Sequence, residues 1–392
     1  MWSSLLPTLA FAAGAIATAT PVEMTTIFAN VSAFTIPEKN VTTNTTYRVN
    51  YARAVVLNYG CPDNPPILGT WEYQGPIKPG YYPIYKSLDK GKTWTEISRV
   101  YDTAKGWGFG AQPALYQLPR AFGNYSAGTV LLSGMHTPAN RSATVIELYA
   151  SRDLGVTWEF VSEVARGGRP STENGKTPIW EPFLGVYKDK FVNFYSDQRD
   201  PKHGQKLTHQ TSSDLVHWDP WVDDVADPVY DYRPGMTTVA KLPNNKYIIA
   251  YEKGGAPQGK FAAFYKIADS PLEFLNATEI WFHTDRNETL PRAGPYVVWT
   301  EAGGVNGTIV ISCSVQTGLY VNTQLGDPNS WQYIETREKI SYSRSLTIIP
   351  GTGEVLILGA GTSYNGGNNT YVGSGLVSFG KVEKPTTKCF MP

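Results

Sequence analysis

The sequence has 392 residues, of which 41% are hydrophobic, 13% aromatic and 17% charged, and its 34 Lys and Arg residues balance 34 Asp and Glu residues. A net charge of zero leaves no basic excess of the kind that binds nucleic acids or anionic membranes, so neither partner is expected. The hydrophobic content excludes a disordered chain, and 37 Gly with 28 Pro indicate many turns.

The first 20 residues are predicted to form a signal peptide. Leu5 to Ala19 is apolar and small, and Ala17-Thr18-Ala19 has the form of a cleavage site, although no Lys or Arg precedes the apolar run. The run is too short and too rich in Ala and Thr for a comfortable membrane span. We therefore expect a secreted, extracellular protein with a mature chain of residues 21–392; the alternative is a poorly ordered N-terminal arm.

Asn-x-Ser/Thr sequons support secretion, because their density suits a glycoprotein. They begin at Asn30, Asn40, Asn44, Asn124, Asn140, Asn276, Asn287, Asn306 and Asn368. The three cysteines allow at most one internal disulfide, for which Cys61 with Cys389 is the favoured pair. Cys313 alternates with Ile309 and Ile311, so we expect it on the buried face of a strand.

A repeated octet organises the chain. Two copies of the pattern Ser-x-Asp-x-Gly-x-Thr-Trp and one shortened copy occupy residues 87–94, 151–158 and 212–218. The tryptophans that end them lie 64 and 60 residues apart, and degenerate copies follow at residues 268–274 and 327–331. A fixed period of this length indicates a repeat architecture.

This octet is the Asp box, and its residue types predict a turn. Ser and Asp side chains hydrogen-bond the backbone of a tight turn, Gly supplies the permissive backbone, and Trp packs beside it. We therefore expect Asp89, Asp153 and Asp214 to form turns and not to act as catalytic acids.

The segments between the Asp boxes are predicted to be β-hairpins. The clearest pairs of strands are 181–187 with 191–195, 237–242 with 246–252, and 346–350 with 354–358. Each unit of about 60 residues then holds about four strands, which is typical of a propeller blade. We predict an all-β fold, a single six-bladed β-propeller closed by a strand from Thr25 to Phe34. The alternative of two stacked β-sandwiches is disfavoured because no linker-like change in composition appears.

Residues that begin the first strand of each blade are expected to line a central funnel. The candidates are polar or aromatic: Arg53, Gln112, Trp180, Glu181, Arg233, Tyr296, Tyr342 and Arg344. Such a ring predicts a pocket for a hydroxyl-rich ligand, in which the aromatic rings stack on the apolar face of a sugar.

Two glutamates are the candidates for catalysis, because glycoside hydrolysis needs two carboxyl groups that flank the scissile bond. Glu181 and Glu252 both have apolar sequence neighbours, which predicts either a raised pKa or a specific partner such as an arginine. The competing carboxylates Asp197, Asp200, Asp227 and Asp231 are interpreted as loop residues, solvated or paired locally. The five histidines lack zinc-like spacing, so neither a metal nor another cofactor is expected.

Asp boxes on a six-bladed frame resemble the sialidase superfamily, and within it the chain resembles glycoside hydrolase family 93, the secreted fungal exo-1,5-α-L-arabinanases. Besides the Asp boxes, the resemblance rests on Trp180-Glu181-Pro182-Phe183, Tyr251-Glu252-Lys253-Gly254 and Tyr342-Ser343-Arg344. It implies a retaining, exo-acting enzyme that removes arabinobiose from the non-reducing end of linear arabinan. It also implies that Glu181 is the general acid/base, Glu252 the nucleophile and Tyr342 a tyrosine close to the substrate, with Arg344 a ligand or a carboxylate partner. We expect a monomer.

Two alternatives remain from the sequence. Sialidases share a Phe-Arg-Ile-Pro type motif that begins a three-arginine clamp for the substrate carboxylate, and this chain has Tyr-Ala-Arg-Ala-Val at 51–55 instead. Because Arg53, Arg233, Arg292 and Arg344 are enough to supply three arginines, an exo-sialidase stays open. A non-catalytic propeller lectin would carry near-equivalent sites in every blade, whereas the rim residues here differ between blades.

Overall fold

The computed structural model describes residues 21–37, 42, 46–60, 64–75, 77–284, 290–361 and 369–382. The predicted signal peptide, Cys61, Cys389 and the sequons at Asn40, Asn44, Asn287 and Asn368 lie outside these ranges. No helix in the described ranges is long and apolar enough to cross a membrane.

Six antiparallel four-stranded sheets make up the fold. Blade one comprises β2 (Arg48–Val56), β3 (Ile67–Gln74), β4 (Tyr81–Ser87) and β5 (Thr95–Tyr101). Blade two comprises β6 (Phe109–Gln117), β7 (Val130–His136), β8 (Thr144–Ser151) and β9 (Glu159–Gly167). Blade three comprises β10 (Ile179–Tyr187), β11 (Lys190–Asp197), β12 (Lys206–Ser212) and β13 (Val222–Val225). The fourth and fifth comprise β14 (Arg233–Lys241), β15 (Tyr247–Gly254), β16 (Ala262–Ala268) and β17 (Ile280–Trp281); and β18 (Tyr296–Thr300), β19 (Thr308–Ser312), β20 (Leu319–Asn322) and β21 (Gln332–Ile334). The sixth comprises β22 (Ser345–Ile349), β23 (Glu354–Ala360), β24 (Tyr371–Ser378) and β1 (Thr25–Thr35).

The first strands of the blades form a closed ring. Each of β2, β6, β10, β14, β18 and β22 contacts the first strand of the next blade, and β22 contacts β2. The N-terminal strand β1 pairs antiparallel with β24, from Thr25 opposite Ser378 to Thr35 opposite Tyr371. The structure thus confirms the all-β, six-bladed propeller and its closure by the N-terminal strand. Closure in this way leaves only short outer edges exposed to unwanted strand pairing.

The hydrophobic core lies between neighbouring blades. Between blades four and five, for example, Ile248 and Ala250 pack in one cluster with Val297 and Ile309. Cys313 belongs to the same cluster as a buried free thiol, as its alternation with isoleucines predicts. Because both faces of each sheet are covered in this way, burial of apolar surface fixes each blade against the next.

The Asp boxes join one blade to another. In the second copy, Asp153 accepts hydrogen bonds from the backbone N–H and the hydroxyl of Thr157, at 2.9 and 2.6 Å. Gly155 adopts a φ of 94°, which only glycine adopts easily, and Trp158 donates from Nε1 to Ser98 Oγ of the preceding blade at 3.2 Å. Burial raises the pKa of Asp153, but the hydrogen-bond donors around its carboxylate outweigh burial and lower the pKa to about 2.

The other two boxes form the same turn. Asp89 accepts a hydrogen bond from the backbone of Thr93 at 2.8 Å, and Asp214 accepts one from the backbone of His217 at 2.8 Å. In the shortened copy, Leu215 takes the left-handed conformation with a φ of 69°. These carboxylates are occupied by turn donors and do not line the cavity described below.

Candidate active site

A residue in the left-handed conformation lies at the start of the innermost strand of every blade. These residues are Tyr51, Gln112, Glu181, Met236, Ala293 and Ser343, with φ values between 52° and 64°. In the first four blades the pairing with the next strand shifts register at this point, which marks a β-bulge. Such backbone is uncommon for residues other than glycine and concentrates at functional sites, where a bulge redirects a side chain.

A cavity of about 410 Å³ opens at this end of the propeller. It is lined by Gln112, Thr172, Trp180, Glu181, Gln205, Arg233, Glu252, Gly254, Gly255, Phe261 and Tyr342. Of the rim residues predicted from the sequence, five therefore come together here with Glu252: Gln112, Trp180, Glu181, Arg233 and Tyr342.

Glu181 is held through one of its carboxyl oxygens. Its Oε2 accepts hydrogen bonds from Ser196 Oγ and from the backbone N–H of Met236, each at 2.7 Å. Its own backbone N–H donates to Gln112 Oε1 at 3.1 Å. Burial raises the pKa of Glu181, although the two donors and the charges of nearby arginines oppose the rise.

Glu252 lies on the second strand of blade four and is 7% exposed. Its Oε2 accepts one hydrogen bond, from the backbone N–H of Gly294 at 2.7 Å. Burial, reinforced by the negative charge of Glu181, raises the pKa of Glu252 to about 8. The apolar sequence neighbours of both glutamates predicted such a shift.

Gly235 and Met236 connect the two glutamates. Gly235 is directly opposite Glu252 in the β14–β15 pair, and a Cβ atom on Gly235 would lie 3.4 Å from Glu181 Oε2. The same Cβ would lie 2.9 Å from Gln205 Nε2, so a side chain at position 235 would displace the Gln205 amide. Two buried carboxyl groups on one cavity, the pKa of each raised by burial, are the arrangement that acid/base and nucleophilic glycosidase chemistry needs.

A third buried carboxyl group, which the sequence did not single out, lies in blade one. Glu72 pairs with Asn50 immediately before the bulge at Tyr51, just as Glu252 pairs with Gly235 immediately before the bulge at Met236. Burial raises the pKa of Glu72 to about 7. Glu72 does not line the cavity.

Aromatic residues form part of the cavity wall. Trp180 donates from Nε1 to Gln198 Oε1 at 2.8 Å, which fixes its ring, and Phe261 also lines the cavity. Rings of this kind offer apolar surface to the C–H face of a sugar. The sequence does not predict Phe261 and Gln205 as site residues, because both lie in loops with no recognisable motif. Only the fold brings them to the cavity.

Three of the four predicted arginines, Arg53, Arg292 and Arg344, do not line the cavity. Arg344 is 1% exposed and donates to the carbonyl oxygens of Thr317 and Gly318, each at 2.8 Å. Arg53 donates to the carbonyl and hydroxyl oxygens of Ser343 at 2.8 and 2.9 Å. The rings of Tyr51 and Tyr296 lie 3.8 and 5.0 Å from the Arg53 guanidinium.

Arg53 and Tyr296 instead line a separate, mostly apolar cavity of about 470 Å³. Arg233 does line the candidate active site, but its guanidinium donates to Asn174, Gln198 and Gln205 at 2.7 to 2.9 Å. In the described part of the chain, the cavity therefore lacks the three converging arginines that would clamp a substrate carboxylate.

His136 lies in a buried cluster with Asp102 and Glu147. Its Nδ1 is 3.1 Å from Asp102 Oδ2 and its Nε2 is 3.4 Å from Glu147 Oε2, while Lys105 also bonds Glu147. The carboxylates lie on opposite ring nitrogens and a lysine ammonium contacts one of them, which is the geometry of an ion-pair network. Two of the competing aspartates are likewise paired, Asp197 with Arg199 at 2.8 Å and Asp227 with Lys253 at 2.7 Å. Asp197 ends strand β11 and is buried, so it is not the loop residue that the sequence suggested.

A six-bladed propeller with two interacting buried carboxyl groups on an aromatic-walled cavity defines a glycoside hydrolase of the sialidase-like fold. The chain is 44% identical to the α-L-arabinofuranosidase Arb93A of Fusarium graminearum solved with an iminosugar inhibitor, over 91% of this chain and 99% of that one, with a TM-score of 0.84. It is 44% identical to the family 93 α-L-arabinofuranosidase of the same fungus solved with arabinobiose, over 90% and 97%, with a TM-score of 0.82. A Penicillium chrysogenum α-L-arabinanase solved with arabinobiose is 40% identical, over 91% and 99%, with a TM-score of 0.83.

The chain belongs to glycoside hydrolase family 93, as its resemblance implied. A microbial sialidase at 14% identity, over 83% of this chain and 65% of that one, with a TM-score of 0.56, shares the fold alone. No protein-family model and no curated protein matches the sequence.

Proposed function

We propose that the protein is an exo-acting hydrolase of the α-1,5-L-arabinofuranosidic bonds of linear arabinan, which releases arabinobiose from the non-reducing end with retention of configuration. The observation that carries this proposal is the placement of Glu181 and Glu252 on one cavity, with Gly235 opposite Glu252 and the adjacent Met236 bonded to Glu181. The relatives named as an α-L-arabinofuranosidase and an α-L-arabinanase, two of them solved with arabinobiose, supply the substrate class.

In the proposed reaction, Glu181 is the acid/base and Glu252 the nucleophile. Glu181 gives its proton to the glycosidic oxygen while a carboxylate oxygen of Glu252 forms a bond to the anomeric carbon, and the bond to the leaving chain breaks. Glu181 then takes a proton from water, whose oxygen displaces Glu252 and releases the disaccharide. Two displacements at the same carbon give net retention.

The pair needs one proton between its two carboxyl groups. Burial of both carboxyl groups and the charge of Glu181 beside Glu252 favour this state, because both groups cannot ionise easily together. The two donors to Glu181 favour its ionisation over that of Glu252, which accepts one hydrogen bond, whereas the reaction needs the proton on Glu181. Binding of the substrate's glycosidic oxygen beside Glu181 would move the shared proton from Glu252 to Glu181.

The test is arabinobiose release from linear arabinan by the wild type and by Glu181→Gln and Glu252→Gln. Each variant should lose at least about 10³-fold in kcat/KM, since each removes a group that acts in the transition state. Glu338→Gln is the matched control, because Glu338 is also 7% exposed but does not line the cavity. Full activity in either site variant removes that residue from catalysis. Cleavage of sialyl substrates and not of arabinan would establish the sialidase alternative.

The separate roles are tested by alanine variants supplemented with azide. Azide should take the place of the missing nucleophile in Glu252→Ala and give a glycosyl azide of inverted configuration. In Glu181→Ala it should attack the glycosyl enzyme and give a retained azide. The anomeric configuration of each product is read by NMR. If Glu252→Ala gives the retained azide and Glu181→Ala the inverted one, the roles of the two glutamates are the reverse of those proposed.

Export and modification form part of the same proposal. A secreted monomer would begin close to residue 20, where the small-residue cleavage site ends. Asn124, Asn140 and Asn276 are exposed and so are accessible for glycans, whereas the Asn30 side chain bonds the backbone of Arg337 and Lys339. Intact-mass and glycopeptide analysis of the culture medium, with size-exclusion chromatography, test these points; retention of residues 1–20 would contradict export by cleavage.

A further inference from the structure

Ser196 lies directly behind the proposed acid/base. It pairs with Trp180 across the β10–β11 sheet, one residue before the bulge at Glu181. Its side chain is fully buried and does not line the cavity, so it cannot touch a substrate there. Its hydroxyl donates to Glu181 Oε2 at 2.7 Å.

The same carboxyl oxygen accepts a second hydrogen bond. The backbone N–H of Met236 reaches Glu181 Oε2 at 2.7 Å, and the adjacent Gly235 lets this strand approach without a side chain. An oxygen that accepts two donors is poorly placed to hold a proton, because a proton there would face another donor hydrogen. Oε1 is then the oxygen of Glu181 on which the mobile proton resides.

We infer that Ser196 is a positioning residue for proton transfer: together with the Met236 amide it occupies Oε2, so that Oε1 gives the proton to the glycosidic oxygen and takes it back from water. This inference rests on the proposed function, which makes Glu181 the acid/base. The serine hydroxyl also stabilises the charged form of the carboxyl group, which lowers the pKa of Glu181 against the effect of burial.

Replacement of Ser196 by alanine removes one donor and should act on the proton transfer. We expect kcat on linear arabinan to fall by about tenfold or more, with KM within about twofold, since a hydrogen bond to a charged group is lost and no substrate contact changes. The basic limb of the pH profile of kcat/KM should move up by about one pH unit, because the acid holds its proton more tightly. Ser196→Thr keeps the hydroxyl and should retain the wild-type limb.

Ser133→Ala is the matched control. Ser133 is also fully buried in a second strand, and its hydroxyl donates to the backbone carbonyl of Glu147 at 3.0 Å, so it tests the loss of a buried serine hydrogen bond away from the cavity. Its pH profile should superpose on that of the wild type. An unshifted basic limb in Ser196→Ala overturns the inference, and so does a limb that moves equally in Ser133→Ala. A shift of the acidic limb instead overturns the assignment of Glu181 as the proton donor.

A titration that needs no activity separates this inference from the proposed function. In protein with ¹³C-labelled glutamate carboxyl groups, the Glu181 resonance, assigned with Glu181→Gln, should titrate at a higher pH in Ser196→Ala than in the wild type. If the wild type fails to cleave arabinan but this shift appears, the proposed substrate is wrong and the role of Ser196 on the carboxyl group stands. If arabinan is cleaved and the titration is unchanged, the inference about Ser196 is wrong.

Discussion

Replacement of Gly294 by alanine tests how the backbone holds the proposed nucleophile. Gly294 donates its N–H to Glu252 Oε2 at 2.7 Å from a left-handed conformation with a φ of 48°. A Cβ atom there would lie 2.6 Å from Ser314 Oγ and 3.1 Å from Met236 Cε. The alanine therefore forces either the Ser314 side chain or the peptide that bonds Glu252 to shift, in a backbone conformation that is already strained for alanine.

Three effects set the magnitude. A non-glycine residue in the left-handed region costs about 1–2 kcal/mol, and an inserted methyl group in a packed site costs about 1–3 kcal/mol more. The hydrogen bond to a charged carboxylate contributes about 1.5–3 kcal/mol, so its loss should lower kcat/KM by about 10- to 100-fold. Since that bond opposes the effect of burial, its loss also raises the pKa of Glu252 and moves the acidic limb of the pH profile upward.

The assay combines thermal unfolding with initial rates on linear arabinan between about pH 4 and 9. Gly106→Ala is the control, because Gly106 also has a positive φ, 69°, but has nothing within 4 Å of the added Cβ atom. It should lose about 1 kcal/mol of stability through backbone strain and keep full activity. Wild-type activity in Gly294→Ala, or a loss of stability no greater than that of Gly106→Ala, would refute the reasoning.

Two further predictions concern stability. Trp158→Ala should destabilise the protein by about 2–3 kcal/mol, since the half-buried ring and its hydrogen bond to Ser98 join two blades. The control is Trp221→Ala, which removes a tryptophan that is 51% exposed. A loss of stability in Trp158→Ala no larger than that in the control would contradict this prediction. Burial lowers the pKa of His136, but the hydrogen bonds and charges of Asp102 and Glu147 outweigh burial and raise it overall. The stabilisation is therefore complete below the unfolded pKa of about 6.5 and is lost as pH rises through the higher folded value. The melting-temperature difference between wild type and His136→Gln should thus shrink from pH 5.5 to 9, and a constant difference would disprove it.

The hairpins and Asp boxes could be predicted from the sequence because their signals are local. The predicted strand pairs around 188–190, 243–245 and 351–353 appear in the structure with ends shifted by a few residues. The turn chemistry of Asp153 and Gly155 involves residues only a few positions apart, and so does the alternation that buries Cys313. The period of the tryptophans then gave the number of blades.

The cavity was predicted less completely. Glu181, Glu252 and Trp180 stand out because charged or aromatic residues interrupt apolar strands, and the structure brings them together. Arg344 was expected there for the same reason, but its donors turn to the carbonyl oxygens of Thr317 and Gly318. Alternation along a strand predicts on which face of the sheet a side chain lies. It does not predict where along the propeller axis the end of a long side chain such as that of Arg344 lies.

The sequence by itself determined the repeat, the blade count, the two glutamates and the family resemblance, because each is written in residue types at short range or at a fixed period. The tertiary structure decided which groups meet. Met236 and Gly294 reach the carboxyl oxygens of the pair from left-handed backbone near the inner strands, and Ser196 reaches Glu181 from the neighbouring strand β11. The left-handed residues near the inner strands, such as Glu181 and Met236, are ordinary residue types, so no local sequence pattern predicts their conformation. It is determined by the closed arrangement of the six blades.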